Sequence, residues 1–259
     1  MLTFQKTKLV FLIASVFAVI EYFVIGFPLY YLIQIPILYS IILGVGSAFI
    51  GVGFFVKSIC KAETNEKIIT LTFDDGPNII NTPILLDILK SHQLKATFFV
   101  IGKKIKGNEA LVKRIIEEGH IVANHSFSHS YVYDIYSTKK VTEDIRLTNT
   151  AIKETTGLTP KLFRPPYGVT NPNIARALKK TGLISIGWNV RSLDTVIQDS
   201  DKLYNRVVSR IKPGSILLFH DTGKNTIETL KEIILFTQKN GYKIVGLDQL
   251  LNIKVYEEL

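Results

Sequence analysis

Two adjacent aspartates, Asp74 and Asp75, directly follow a short apolar segment of the chain. The pattern of residues 67–73 (KIITLTF) predicts a buried strand, which Gly76-Pro77 ends. Two carboxylates at the end of a buried strand are costly unless they have partners. A divalent cation and a reaction that needs a base would account for both, with one carboxylate as ligand and the other as proton acceptor. The alternative is that the pair caps the next helix or forms an Asx turn.

Two histidines four residues apart, His125 and His129, lie in the segment NHSFSH. On a helix or helical turn both imidazoles would face one way and could bind one ion. An isolated H-x-x-x-H pair is a weak signal, but a carboxylate within reach would complete a His₂Asp site with an open position. That pattern is typical of catalytic zinc, which lowers the pKa of bound water to about 7.

The segment RPPYG holds an arginine whose surroundings are stiffened by two prolines. Fixed in this way, Arg164 would orient a neighbouring carboxylate base and hold its pKa down. The alternative is a surface arginine in a proline turn. Gly168 would let backbone N–H groups approach a ligand closely, as an oxyanion site requires.

A third histidine, His220, ends the apolar segment SILLFH. It is a candidate general acid for a leaving amine, and the alternative is a buried structural histidine. Asp194 would pair with either His220 or Arg164 and adjust its acidity. Leu218 points the same way along the strand as His220 and would form an apolar pocket for a methyl group.

Alternating strands and helices must position these residues. The pattern predicts an α/β fold with a parallel sheet, namely a distorted, incomplete β/α barrel of about seven strands, with an open doubly wound sheet as the alternative. In such a barrel the carboxyl ends of the strands share one face, so five strand ends would bring these groups together. The predicted strands are 67–73, 95–101, 120–123, 161–163, 183–188, 215–219 and 243–246.

The N-terminal segment is strongly apolar and raises the mean hydropathy of the 259-residue chain to +0.24. Between residues 9 and 56, Glu21 is the one acidic or basic side chain. This length predicts two transmembrane helices, 9–25 and 37–56, and therefore a membrane anchor over residues 1–61 before a soluble domain over 62–259. The alternatives are two buried helices of a soluble core or a cleaved signal peptide, whose apolar region would be shorter.

The charge distribution argues against some partners and leaves the orientation in the membrane open. The net charge of +9 is spread over amphipathic segments without a nucleic-acid motif, so no nucleic-acid partner is expected. Cys60 is the single cysteine, so no intramolecular disulfide is expected. The lysines that flank the apolar segment would place both of its ends in the cytoplasm. These are Lys6, Lys8, Lys57, Lys61 and Lys67.

Five segments, in this order and spacing, resemble the motifs of the polysaccharide deacetylases, the NodB-homology domains of carbohydrate esterase family 4. They are TFDDGP, HSFSH, RPPYG, the segment around Asp194, and LLFH. The similarity covers residues 67–250. The segment RSLDT departs from many members, in which the aspartate-containing run ends in Asp-Trp, and this affects the expected sugar specificity more than the chemistry.

The resemblance implies a metal-dependent removal of acetyl groups from a carbohydrate. Asp75, His125 and His129 would then hold one divalent ion, zinc or a related ion such as cobalt, manganese or nickel. Asp74 would be the base and His220 the acid, with Arg164 and Asp194 supporting them. Tyr167 would donate its backbone N–H to the oxyanion, and Leu218 and Trp188 would line the pocket for the acetyl group.

The expected activity is N-deacetylation, with O-deacetylation as a variant, of an N-acetylhexosamine-containing glycan at the cell membrane. Because the family more often works outside the membrane, the side on which the domain lies stays open, as does the oligomeric state. One alternative is a deacetylase or deformylase of a lipid-linked amino sugar, since the linker after the membrane segment is short. The other is a non-catalytic, membrane-held glycan-binding domain.

Overall fold

The computed structural model describes residues 3–26, 28 and 30–258, with the side chain of Lys224 left out. Within these residues the chain forms nine α-helices and eight β-strands. The strands are β1 Ile68–Gly76, β2 Thr97–Val100, β3 Ile121–Asn124, β4 Leu162–Phe163, β5 Ile184–Ser185, β6 Val190–Arg191, β7 Ile216–His220 and β8 Lys243–Ile244. The helices are α1 Phe4–Ile25, α2 Tyr30–Ala48, α3 Asn81–Ser91, α4 Glu109–Glu117, α5 Thr138–Thr156, α6 Pro172–Thr181, α7 Ser200–Val208, α8 Lys224–Lys239 and α9 Leu247–Leu251.

The strands form one parallel sheet in the order β5-β4-β3-β2-β1-β7-β6, and β8 pairs with the first residues of β1. The central strand β1 is buried along most of its length. Its apolar side chains meet those of helices α3, α7 and α8 in the largest core cluster. A strand enclosed in this way requires an apolar sequence on both faces, which is what residues 68–73 provide.

The sheet curls back on itself, because its two end strands are consecutive in the chain. Four residues, Ile186 to Asn189, connect β5 at one end to β6 at the other. The prediction of a distorted, incomplete β/α barrel is therefore confirmed. The prediction of one continuous strand over 183–188 was wrong in one respect. The strand that pairs with β4 ends at Ser185, and the next strand begins at Val190 and pairs with β7.

Helices α1 and α2 are long and apolar enough to cross a membrane. Thr7 and Gly46 are the only buried residues described in the two helices, which is unlike the helices of a soluble core that the alternative proposed. The second membrane helix was predicted too far along the chain, at 37–56. Helix α2 begins at Tyr30, contains Pro36 and ends at Ala48.

The segment after α2 packs onto the barrel. Ile50, Phe54 and Val56 are buried there, and Ile59 pairs in parallel with Ile186. The two apolar helices are thus joined to the barrel through packed residues as well as through the chain.

Candidate active site

A β-bulge at the end of β1 explains how two consecutive aspartates serve one site. Asp74 pairs with Phe99 of β2 and Gly76 with Val100, so Asp75 is the extra residue. Its φ of 73° is left-handed. In a regular strand neighbouring side chains point to opposite faces. The bulge allows both carboxylates to reach His125, whose Nε2 lies 3.8 Å from Asp74 Oδ2 and 3.5 Å from Asp75 Oδ1.

Asp74 is buried and is held by Arg164, which is fully buried. The guanidinium Nη1 donates to Asp74 Oδ1 at 2.7 Å and to Thr72 Oγ1 at 2.8 Å. Its other nitrogens donate to the carbonyls of Ile186 and Gly187, in the break between β5 and β6. Arg164 therefore satisfies the backbone of the interrupted strand and fixes one oxygen of Asp74, leaving the other oxygen toward the site.

Asp75, His125 and His129 form the candidate metal centre, since one ligand atom from each lies within 4.8 Å of the others. Asp75 Oδ1 is 3.2 Å from His129 Nε2, and this buried oxygen accepts no hydrogen bond from any described residue. His125 Nδ1 donates to the Arg164 carbonyl at 2.8 Å, so its Nε2 is free to bind a cation. A buried carboxylate oxygen that lacks a donor, facing two imidazole nitrogens, fits a divalent ion with nitrogen and oxygen ligands.

The electrostatics of these groups also favour a cation. Burial alone would raise the pKa of Asp75, but the His125 and His129 imidazoles outweigh it and hold the pKa well below its usual range. Burial, with His125 close by, lowers the pKa of His129 to about 4. An ionised carboxylate and a neutral imidazole are the forms that bind metals.

The segment that carries the two histidines is a loop, so the expectation of a helix or helical turn was wrong. Left-handed backbone at Ser126 and at His129 turns the chain and brings the imidazoles to 4.9 Å between ring centroids. Asp144 of α5 holds this loop, because its carboxylate accepts from the Phe127 and Ser128 amides at 2.6 and 3.1 Å.

His220 lies at the end of β7, where it pairs with Asp74 of β1. Its Nδ1 donates to Asp194 Oδ1 at 2.8 Å and its backbone amide to Asp194 Oδ2 at 2.7 Å. Burial would lower the pKa of His220, but Asp194 raises it above the ordinary value. Of the two partners considered for Asp194, the structure therefore places it with His220, leaving the His220 Nε2 for acid chemistry.

Tyr167 has a φ of 60°, and its ring lies 4.8 Å from that of His129. Its backbone N–H donates to no acceptor among the described residues and is available to an oxyanion. Gly168, with a φ of 71°, is required here because a Cβ would lie 2.4 Å from Trp188 Cη2. Trp188 thus supports the turn that presents the Tyr167 amide, and Leu218 lies buried in β7 two residues before His220.

Several residues that hold the site were not identified from the sequence. Thr226 and Ser192 donate to Asp194 at 2.6 and 2.8 Å, and Thr82 donates to the buried Asp221 at 2.5 Å. Their types are common in any sequence and they come from different elements, so no local pattern reveals them. Asp144, at 17 residues from Phe127 along the chain, is a further case.

The curled parallel sheet, with the carboxylates of Asp74, Asp75 and Asp194, three imidazoles and a buried guanidinium at one edge, defines a β/α-barrel domain with a candidate metal centre. The family model for polysaccharide deacetylase matches residues 61–186. A peptidoglycan-N-acetylglucosamine deacetylase of Bacillus cereus is 36% identical over 199 residues, which are 75% of this chain and 92% of that protein. The chain belongs to the polysaccharide deacetylase family.

A second relative is longer than this chain. The peptidoglycan-N-acetylglucosamine deacetylase PgdA of Listeria monocytogenes is 38% identical over 200 residues, which are 77% of this chain and 42% of that protein. The chain therefore matches less than half the length of this relative.

Solved structures agree with the fold. The Bc1960 peptidoglycan N-acetylglucosamine deacetylase, in complex with 4-naphthalen-1-yl-N-oxidanyl-benzamide, has a TM-score of 0.73 at 29% identity and covers 77% of this chain and 95% of its own. BA3943 of Bacillus anthracis, a CE4 family pseudoenzyme, has a TM-score of 0.70 at 30% identity and covers 74% of this chain and 68% of its own. A family 4 acetyl xylan esterase of Clostridium thermocellum, in complex with a cobalt ion, has a TM-score of 0.66 at 32% identity and covers 71% of this chain and 90% of its own.

Proposed function

We propose that this chain is a metal-dependent carbohydrate deacetylase that removes N-acetyl groups from an N-acetylhexosamine-containing glycan at the membrane. The observation that carries the proposal is the placement of Asp74. It is buried, fixed by Arg164 through one oxygen, and lies between the candidate metal centre and the strand that bears His220. A buried carboxylate held through one oxygen, with its second oxygen toward the candidate metal centre, is suited to take a proton from water.

Asp75, His125 and His129 would hold the divalent ion, with zinc as the ion that best fits two imidazoles and a carboxylate. When bound, such an ion supplies Lewis acidity toward the acetyl carbonyl and makes water more acidic. Asp74 accepts the proton of the attacking water, while Arg164 holds its carboxylate in place through the hydrogen bond to Oδ1. The Tyr167 amide donates to the oxygen that becomes negative during the attack.

His220 completes the reaction by donating the Nε2 proton to the departing sugar nitrogen, which leaves as an amine. Asp194 keeps the Nδ1 proton in place and favours the imidazolium form from which Nε2 donates. Leu218 and Trp188 would line the pocket for the acetyl methyl group. Water adds to the carbonyl, the C–N bond breaks, and acetate and a free amine are the products.

The substrate class is suggested by the relatives, which are named for peptidoglycan N-acetylglucosamine deacetylation. An N-acetylglucosamine-containing polymer is therefore the first substrate to test, with O-acetyl groups as a variant. A non-catalytic glycan-binding role is the second candidate, because one structural neighbour is a pseudoenzyme. Against that role, every residue that the mechanism requires is present and placed at one edge of the sheet.

We also propose that residues 1–61 anchor the deacetylase domain, 62–259, in the membrane through α1 and α2. The support is the length, apolar composition and exposure of both helices. Cys60, the single thiol, lies between helix α2 and strand β1. An impermeant maleimide that labels it in intact cells places the domain outside, and labelling after lysis alone places it inside, with Cys60→Ser as the control.

The direct test of the activity is acetate release from N-acetylglucosamine oligosaccharides and peptidoglycan by the purified full chain. Asp74→Asn should lower turnover by about 10²- to 10⁴-fold, the range of general base catalysis, and leave zinc affinity nearly unchanged. Asp201→Asn, which changes an exposed carboxylate in the first turn of α7, is the matched control. Normal turnover in Asp74→Asn would refute the assignment of the base.

A further inference from the structure

Six exposed apolar side chains lie in loops at the edge of the sheet that carries the candidate active site, and the chemistry described above does not use them. They lie in the segments that follow β1, β3 and β6, the strands whose ends carry the site residues. Tyr131 is 92% exposed, Ile135 75%, and Ile79 and Ile80 71% each. The set, called here the apolar rim, is Ile79, Ile80, Tyr131, Val132, Ile135 and Val196.

The apolar rim adjoins the site directly. The ring of Tyr131 stacks on that of Tyr167 at 6.4 Å between centroids and an interplanar angle of 16°. Tyr167 in turn contacts His129, one of the candidate metal ligands. Whatever covers the rim therefore also lies at the entrance to the site.

The turns that carry the rim are ordered, with their backbone groups paired. Asn78 Oδ1 accepts from the amides of Ile80 and Asn81 at 2.9 Å each, which holds the two isoleucines outward. The buried Tyr133 anchors the second segment, and its amide donates to the Ser130 carbonyl at 3.0 Å. Exposed apolar groups on paired backbone form a surface that the fold presents to a partner.

The composition of the rim favours a lipid surface over a sugar polymer. Sugars are recognised by aromatic faces and by hydrogen-bonding groups, whereas five of the six side chains are isoleucine or valine. Aliphatic side chains bordered by cations are typical of proteins that lie in the bilayer interface. Lys103 and Lys140 border the rim, Lys103 donating to the Ser128 carbonyl and Lys140 lying 3.6 Å from the Tyr136 ring centroid.

The end of α2 contacts the loop against which Tyr131 of the rim packs. Near the end of α2, Ser47 Oγ donates to the Thr170 carbonyl at 2.7 Å, and the Thr170 amide donates to the Ser47 carbonyl at 3.1 Å. Thr170 lies three residues after Tyr167, against which the rim packs. Phe49 and Val52, directly after α2, are exposed as well. The part of the rim that follows β3 also contains one acidic residue, Asp134.

We infer that the apolar rim rests in the interface of an anionic phospholipid bilayer, so that the active site opens toward the membrane surface. Building on the deacetylase activity proposed above, the substrate is then an acetylated amino sugar held at that surface by a lipid. The rim's contact with lipid itself does not depend on that activity.

Fluorescence quenching by spin-labelled lipid tests the contact. The full chain, carrying Cys60→Ser, is reconstituted in vesicles of phosphatidylglycerol and phosphatidylethanolamine. A polarity-sensitive fluorophore is attached through Ile80→Cys or Val196→Cys, and for comparison through Leu235→Cys. Leu235 is 59% exposed on α8. It lies eleven residues from the start of that helix, about 16 Å away from the site edge at 1.5 Å per residue.

The rim probes should shift to shorter wavelength and be quenched by doxyl lipid, whereas the Leu235 probe should not. Equal, weak quenching at all three positions would overturn the inference. So would rim probes that respond to added N-acetylglucosamine polymer or to a protein partner but not to doxyl lipid.

A second measurement separates the loss of contact between the rim and lipid from the loss of catalytic activity. The double variant Ile79→Ser and Ile80→Ser should lose about tenfold in acetate release from an N-acetylated glycolipid in the same vesicles, because two apolar anchors are removed. Its activity on a soluble N-acetylglucosamine oligosaccharide should stay at the wild-type level. Equal loss on both substrates would overturn the lipid assignment. Failure of the wild type on both, with quenching intact, would instead count against the proposed deacetylase activity.

Discussion

Replacement of Asp194 by asparagine changes one atom of a carboxylate that accepts four hydrogen bonds. These come from the Ser192 and Thr226 hydroxyls and from the amide and Nδ1 of His220. An asparagine side chain offers one acceptor oxygen and one NH₂ donor. In Asp194→Asn the imidazolium of His220 therefore loses its carboxylate partner, although the shape of the side chain is kept.

The size of the effect follows from the charge on this hydrogen bond. A hydrogen bond to a charged group contributes about 1.5–3 kcal/mol, and each 1.36 kcal/mol is tenfold, so kcat/KM should fall about ten- to 150-fold near pH 7. Because Asp194 raises the pKa of His220 against the effect of burial, the variant should have a lower His220 pKa. His220 then loses its proton at lower pH than in the wild type, and the basic limb of the pH profile shifts to lower pH.

The assay is the pH dependence of kcat/KM for acetate release from an N-acetylglucosamine oligosaccharide. Ser192→Ala removes one donor to Asp194 but keeps the carboxylate, so its basic limb should stay close to that of the wild type. A basic limb in Asp194→Asn at the wild-type position would refute the assignment of His220 as the acid that Asp194 supports.

Three further predictions concern residues that hold the site. Asp144→Ala removes the acceptor for two amides of the histidine loop and should weaken zinc binding about 10- to 100-fold in a calorimetric titration. Normal affinity would show that the loop is held without it. Gly168→Ala places a Cβ against Trp188 at a positive φ, so it should lower stability to urea by more than about 1 kcal/mol and reduce kcat. An unchanged midpoint would contradict this. Burial raises the pKa of Asp221 to about 6, against the donation from Thr82. A carboxyl with a raised pKa costs stability as pH rises from its unfolded-state pKa to the raised value. The metal-free chain should therefore lose unfolding free energy between about pH 4 and 6 relative to Asp221→Asn, measured by denaturation at each pH.

The sequence allowed the position of the site to be predicted because parallel strands align their carboxyl ends. Once residues 67–73 and 215–219 were identified as strands, Asp74 and His220 had to lie at the same edge of the sheet. Arg164 was predicted to hold a carboxylate for the same reason, and it donates to Asp74.

The parts that sequence patterns missed depend on irregular backbone. The bulge at Asp75 and the left-handed residues Ser126 and His129 break the periodicities on which such patterns depend. Residues 183–188 have the composition of one strand, but Arg164 pairs with the carbonyls at the point where that strand is interrupted. Such a contact, between residues more than twenty positions apart, is decided by tertiary packing.

The proposed deacetylation depends on one metal ion held by Asp75, His125 and His129. Its most direct test is acetate release from an N-acetylglucosamine oligosaccharide by the chelator-treated full chain as zinc is added back. We expect no acetate without metal and full recovery at one zinc per chain. Acetate release that survives complete metal removal, or that stays absent when one zinc per chain is bound, would contradict it.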